Sequence, residues 1–219
     1  MFWKRMLSLA VLWLVAIVMP TAPAFAQDLG ICGSLNNSFG PFDYRHKSSV
    51  RTELGDAHQM VEGAHFTANV EQLIRGKSTA LPGGDIDYTL RAFPNHHRAL
   101  LSMSRLALRA KSDQPPDMRY TATCWFERAM RFAPDDGMVR MLYGQYLLKV
   151  GKQREAIEHL EAAEKLTEGS ANLHYNLGLA FIEVKRYEDA RRHARKAYAL
   201  GFPLPGLRER LKRLGQWKD

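Results

Sequence analysis

Through the C-terminal half of the chain, small and apolar side chains recur at helical spacing in blocks of equal length. Tyr143, Gly144 and Leu147 mark one face of a predicted helix, and Ala156, Leu160 and Ala163 mark one face of the next. Val150-Gly151-Lys152 between them is a short turn suited to antiparallel neighbours. Laid over itself at an offset of 34, Gly137–Ser170 matches Ala171–Leu204. Gly144 then falls on Gly178, Leu147 on Phe181, Ala156 on Ala190, Leu160 on Ala194, Ala163 on Ala197 and Leu166 on Leu200. Gly and Ala at a helix crossing let two backbones approach, and larger apolar residues fill the space around them. One such hairpin cannot bury its apolar face alone, so copies stack and share a core.

The same offset applied upstream lands on Ala122, Phe126 and Ala129, a degenerate first copy within 94–136. It predicts a second helix over Tyr120–Phe132 and a first helix over Asn95–Arg109, with Asn95 as N-cap after Pro94. The loop between them, from Lys111 to Asp117, contains Pro115-Pro116 and cannot be helical. Downstream, within 205–219, Leu207, Leu211 and Leu214 line one face of a closing helix, and Trp217 is expected on the last repeat. Residues 27–93 form an extension of unknown type with a turn-rich start. Val50, Leu54, Ala57 and Val61 predict a helical face, Thr67 a cap for a helix through Ile74, 78–84 a loop, and Ile86–Phe93 a short helix after Asp85.

The repeat carries Tyr143, Gly144, Leu147, Ala156, Leu160, Ala163 and Glu168 in one copy. The next carries Leu177, Gly178, Phe181, Ala190, Ala194, Ala197 and Phe202 at the matching places, and the degenerate copy adds Pro134. These segments resemble tetratricopeptide repeats, and Tyr175-Asn176-Leu177-Gly178 is close to that family's consensus. The resemblance implies an all-α fold of about three helix-turn-helix units plus a capping helix. It also implies a protein–protein interaction module rather than an enzyme, with no cofactor. Such proteins bind extended peptides or helices in a concave groove lined by the first helix of each unit. Carried over, the groove residues are Met138, Met141, Leu142, Gln145, Leu148 and Lys149, then Asn172, Tyr175, Asn176, Leu179, Ile182 and Glu183. Members that clamp a C-terminal carboxylate place a basic set there. Only Asn176 fits that scheme, so an apolar segment or amphipathic helix is the expected occupant.

The N-terminus changes the compartment. Lys4 and Arg5 precede an apolar run from Leu7 to Met19, Pro20 ends it, and Ala24 and Ala26 precede Gln27 with cleavage-site spacing. This is the pattern of a secretory signal peptide over 1–26, and the apolar run is too short to span a bilayer. The expected location is the periplasm, with no stable membrane insertion after cleavage and another exported or envelope protein as partner. Loss of Lys4 and Arg5 takes the formal net charge from +8 to +6. The remaining charges are interspersed, with no basic stripe interleaved with aromatics, so no nucleic acid is expected. In an oxidising compartment Cys32 and Cys124 are expected to pair, tying the extension to the repeats.

The chain has eight histidines, and these open an alternative: a metal-binding protein or enzyme with its site in residues 55–100. His58, Glu62 and His65 would share one face of a continuous helix, and Asp85, Asp87, His96 and His97 form a second polar group. Neither has the spacing of a metal motif such as HExxH, and no G-x-S-x-G or P-loop is present. Solvated faces, caps and hydrogen-bonded core histidines account for the pattern, so the expectation is no metal and no catalytic residues.

Overall fold

The computed structural model describes residues 32–167 and 169–217. Residues 1–26, expected to be a signal peptide, and Glu168 lie outside the described residues. A 3-10 helix, Tyr44–Ser49, and a small hairpin, β1 (Arg51–Thr52) and β2 (Gly55–Asp56), lead into ten α-helices. These are α1 (Ala57–His65), α2 (Ala68–Glu71), α3 (Pro82–Ala92), α4 (His97–Ala110), α5 (Ala122–Phe132), α6 (Gly137–Lys149), α7 (Gln153–Leu166), α8 (Ala171–Glu183), α9 (Tyr187–Ala199) and α10 (Gly206–Arg213).

Helices α6 to α9 form two helical hairpins in the expected register. Asp136 and Ser170 start their first helices, each side-chain oxygen accepting backbone N–H groups of the first turn. Ala156, Leu160, Ala163, Ala190, Ala194 and Ala197 are all fully buried. A Cβ at Gly144 would lie 2.6 Å from Leu160 Cγ, so only glycine lets α6 sit this close to α7. At the end of the stack Leu207 and Leu211 of α10 are fully buried and Trp217 packs against the same core. Leu214 departs from expectation: it ends α10 and is 44% exposed.

The first unit pairs α4 with α5, and here the strict period fails. The long loop after α4 displaces that helix toward the N-terminus while α5 keeps the register of later units. The cap also differs. His96, not Asn95, precedes α4, and its ring Nδ1 accepts the N–H of Ala99 at 3.1 Å. Asn95 is fully buried and works across the chain: its Oδ1 accepts the N–H of Tyr44, and its amide donates to Asp43 and Asp136.

About half of the described extension is helical. The expected helix over 86–93 falls in α3, up to Ala92, while the other helices are shifted from where periodicity placed them. Residues 51–56 are the hairpin rather than helix, leaving Leu54 74% exposed; only Ala57 and Val61 of the expected face are buried. Thr67 occupies the N-cap position of α2, but the helix stops at Glu71. Helix α3 starts at Pro82, inside the segment expected to be loop. A proline in the first turn has no N–H to leave unpaired and its fixed φ suits a helix start. Asp85 therefore lies inside the helix. Its fully buried carboxylate accepts N–H groups from Lys77, Ser78 and Thr79 and the Thr79 hydroxyl, shaping the preceding turn.

The extension is tied down at its start by a Cys32–Cys124 disulfide with Cα atoms 5.1 Å apart. Beside it the buried Arg128 donates to the carbonyls of Cys32, Gly33 and Ser34 while lying over the rings of Tyr120 and Trp125. Burial pulls the Arg128 pKa down from its usual value.

Candidate functional site: the concave groove

Helices α4, α6 and α8, the first helices of the three units, line a groove of about 490 Å³. From the expected set, Leu142, Gln145, Leu148 and Lys149 of α6 and Asn172, Tyr175, Asn176, Leu179 and Glu183 of α8 lie along it. Met138, at the start of α6, is exposed but does not line it. Met141 and Ile182 do not line it either. Each is 5% exposed and packs in the core between the second and third units, because their positions face the neighbouring hairpin.

The other wall is α4, which contributes Leu101, Ser104, Arg105 and Leu108. The displaced register of the first unit hid these from a reading at fixed period. The far end is closed by the turn after α9: Phe202 stacks on Tyr175 with ring centroids 4.1 Å apart. Arg210 pairs with Glu183 at 2.7 Å. No residue of 32–93 lines the groove. The extension instead packs its α2 and α3 against α4 from the side away from the groove, where Ser102 donates to the Glu71 carbonyl. A second cavity of the same size lies by the loop after α4. Its Asp113 carboxylate already accepts the Tyr146 hydroxyl and Thr123, and Lys111, Lys149 and Lys152 are among its lining residues.

His58, His65, His96 and His97 divide among three carboxylates, Glu62, Asp85 and Asp136. His58 and His96 each bring Nε2 to 2.9 Å from the same Glu62 oxygen, with Arg98 3.3 Å away. His58 makes this approach outside hydrogen-bonding alignment. Its neighbour His65 turns instead to Asp85 at 2.8 Å and stacks on Tyr88. His97 bonds Asp136 at 2.8 Å, and Asp87 pairs with Arg91. Burial works to raise the Glu62 pKa, but the His96 hydrogen bond and the nearby Arg98 guanidinium help bring it to about 2. Burial pushes His96 down, toward the neutral ring.

His58, Glu62 and His96 are close enough to share a cation, but the network assigns the His96 proton against it. Its Nδ1 is the acceptor that caps α4, so its single ring proton lies on Nε2 and points at Glu62. A metal on Nε2 would drive that proton to Nδ1 and break the cap. The cluster is a hydrogen-bonded brace between α1 and α4.

Residues 118–197 match the family model described as anaphase-promoting complex, cyclosome, subunit 3, a tetratricopeptide-like repeat model. The match runs from just before α5 into α9 and leaves out α4 and the extension. A solved structure titled as a mutant of MamA is similar with a TM-score of 0.41 and 18% identity. The likeness covers 54% of this chain, which spans 66% of that one. No curated protein matches by sequence.

Proposed function

On the premise that this is a tetratricopeptide-repeat protein, we propose that it is a scaffold or assembly factor of the cell envelope. In this reading its groove between α4, α6 and α8 holds an apolar peptide or amphipathic helix of another exported protein. The repeats support a protein-binding role. The leader over 1–26 supports export to the periplasm.

The observation that carries the groove reading is its lining: Leu101 and Leu108 on one wall face Leu142, Leu148 and Leu179, with no part of 32–93 among the residues that line it. Apolar side chains left on a concave face favour a partner that covers them. Arg105 and Lys149 stand beside this strip, so an apolar segment flanked by acidic residues fits best.

A photocrosslinker at Leu179, with the chain expressed in its own envelope, tests this. The expected result is one discrete adduct that Leu101→Asp on the opposite wall removes while leaving thermal unfolding in place. An equal adduct from a probe at the outward-facing Arg192, or none from Leu179, would overturn the reading.

A further inference from the structure

We propose that Glu164, His174 and His193 form a binding site for a divalent transition-metal cation of the zinc type, at the seam between the second and third repeats. The three side chains come from three helices, α7, α8 and α9. His174 and His193 are buried, at 1% and 3% exposure, and their Nδ1 atoms face each other at 3.1 Å. The Glu164 oxygen is 3.6 Å from His174 Nδ1, and all three ligand atoms lie within 4.8 Å of one another. Tetrahedral zinc with bonds of about 2.0–2.1 Å sets its ligand atoms about 3.3 Å apart, so the two shortest separations bracket the required value. Two imidazoles and one carboxylate also make a donor set that leaves a fourth position open. Glu164 forms the outer edge with its side chain 32% exposed, which gives a cation a way in. Phe181, with its ring 5.3 Å from that of His193, forms an apolar wall.

The proton arrangement permits this, unlike that at His96. Arg192 approaches His193 Nε2 at 3.3 Å, which places the His193 proton on Nδ1, where it is donated to His174 Nδ1. The Arg192 side chain is 65% exposed and already paired with Asp189, so it can leave His193 freely. The His193 proton then moves from Nδ1 to Nε2 and both Nδ1 lone pairs face the cation. No proton is released, because each ring stays neutral throughout. Lys196, 3.3 Å from Glu164, is the resident counter-charge that a cation would displace. A bound cation would clip α7 to the hairpin of α8 and α9, fixing one repeat against the next.

Equilibrium dialysis of the full chain against Zn²⁺, with metal counted by elemental analysis, is the test. The expected result is one zinc per chain at this site. Glu164→Gln, which keeps the size of a half-exposed side chain, should weaken binding by about tenfold or more. Lys196→Ala should act in the opposite direction and tighten it, because the competing cation is gone. Absence of zinc uptake by the intact chain overturns the proposal. So does uptake that Glu164→Gln leaves unchanged, and so does uptake abolished by Glu62→Gln, which would place the metal at the His58–His96 brace instead.

Discussion

The second and third repeats are each closed by alanines and leucine at their helix crossings, Ala156, Leu160 and Ala163 in one and Ala190, Ala194 and Ala197 in the next. The two meet through Met141, Leu173 and Ile182. The extension meets the array through Asp43, Asn95, Asp136 and Arg128. In the first region packing of small and branched side chains makes the contact. The buried polar groups there are few: the His174–His193 pair, and Arg191, which donates to the Gln216 carbonyl. In the second region carboxylates, an amide and a guanidinium converge from residues far apart in sequence. Apolar packing is tolerant of sequence and repeats easily, because any residue of suitable size preserves it. A buried polar junction must be satisfied atom by atom, so it occurs once and has no period. One region should therefore fail locally when a side chain is truncated, the other when a single tie is cut.

The largest effect should come from the repeats. Phe181 is fully buried between α8 and its neighbours, and Phe181→Ala should cost about 3–5 kcal/mol through lost burial and the cavity left behind. In a stack held by nearest-neighbour contacts the damage should stay close to its source. Amide exchange should rise through α8 to α10, with α3 protected as before. Equal loss of protection in α3 would show that the two regions are one cooperative unit.

Cutting the covalent tie is the converse experiment. Cys32→Ser with Cys124→Ser removes a link closing a loop of 92 residues, worth about 2–4 kcal/mol in the chain-entropy account. The expected outcome is early proteolytic cleavage within the first residues of the extension while residues 137–213 resist. Arg128 makes this a sharp test, since its guanidinium also holds the carbonyls of Cys32, Gly33 and Ser34. Should the double variant match the parent in both stability and cleavage, Arg128 alone suffices as the tie.

Cutting a polar tie inside the extension comes next. Asp85→Asn exchanges a carboxylate that accepts from Lys77, Ser78, Thr79 and His65 for an amide whose N–H₂ opposes those donors. A loss of about 1–3 kcal/mol is expected from buried donors left without acceptors. Measured by urea unfolding, a change smaller than that of an exposed control such as Lys152→Ala would remove Asp85 from the set of structural ties.

The same contrast decides what could be read from the sequence. Gly144 on Gly178 and Ala156 on Ala190 announce a repeat because the packing rule recurs within each hairpin. The groove follows wherever that register holds, which is why Leu142 and Leu179 lie on its lining at the repeat positions while Leu101 and Leu108, behind the long loop after α4, are not legible from the period. Met141 and Ile182 face the seam instead, because position alone does not tell a groove face from a seam face when the residue is apolar. In the extension the local signals competed with distant partners. Asn95 has the residue type of a cap, but Tyr44, Asp43 and Asp136 draw it into the interior, and His96 takes the cap. Nothing local to Asp85 indicates that a turn will wrap around it.

Acid should separate the two regions most gently, one carboxylate at a time. Asp136 lies where α4, the extension and α6 meet, 2.8 Å from His97, bonded by Asn95 and capping α6, with Arg45 3.9 Å away and Asp43 and Asp135 nearby. Burial alone would raise its pKa, yet the bonds from His97, Asn95 and the α6 backbone hold it below the usual value. Asp85 is lowered in the same way: burial pushes it up, and the Lys77 and Thr79 backbone with His65 pull it down further. A carboxylate depressed on folding stabilises the fold fully above its unfolded pKa, about 3.9, and that stabilisation is lost as pH falls through the folded value. Buried histidines, His96 in the junction and His174 in the repeats, are both pushed toward neutrality by burial, so acidification from about 6.5 weakens both regions. The larger step below about pH 4 belongs to the junction. Asp189 of α9 is lowered too, burial raising it and Arg186 and Arg192 bringing it down. Its pairs with those exposed arginines are screened by solvent, whereas Asp136 and Asp85 are buried. Trp125 sits in the junction and Trp217 on the last repeat, and their indole N–H resonances report the two separately. The Trp125 signal should lose its native position at a higher pH than that of Trp217. A shared midpoint for the two indoles would mean that the polar junction and the packed repeats answer acid as a single body.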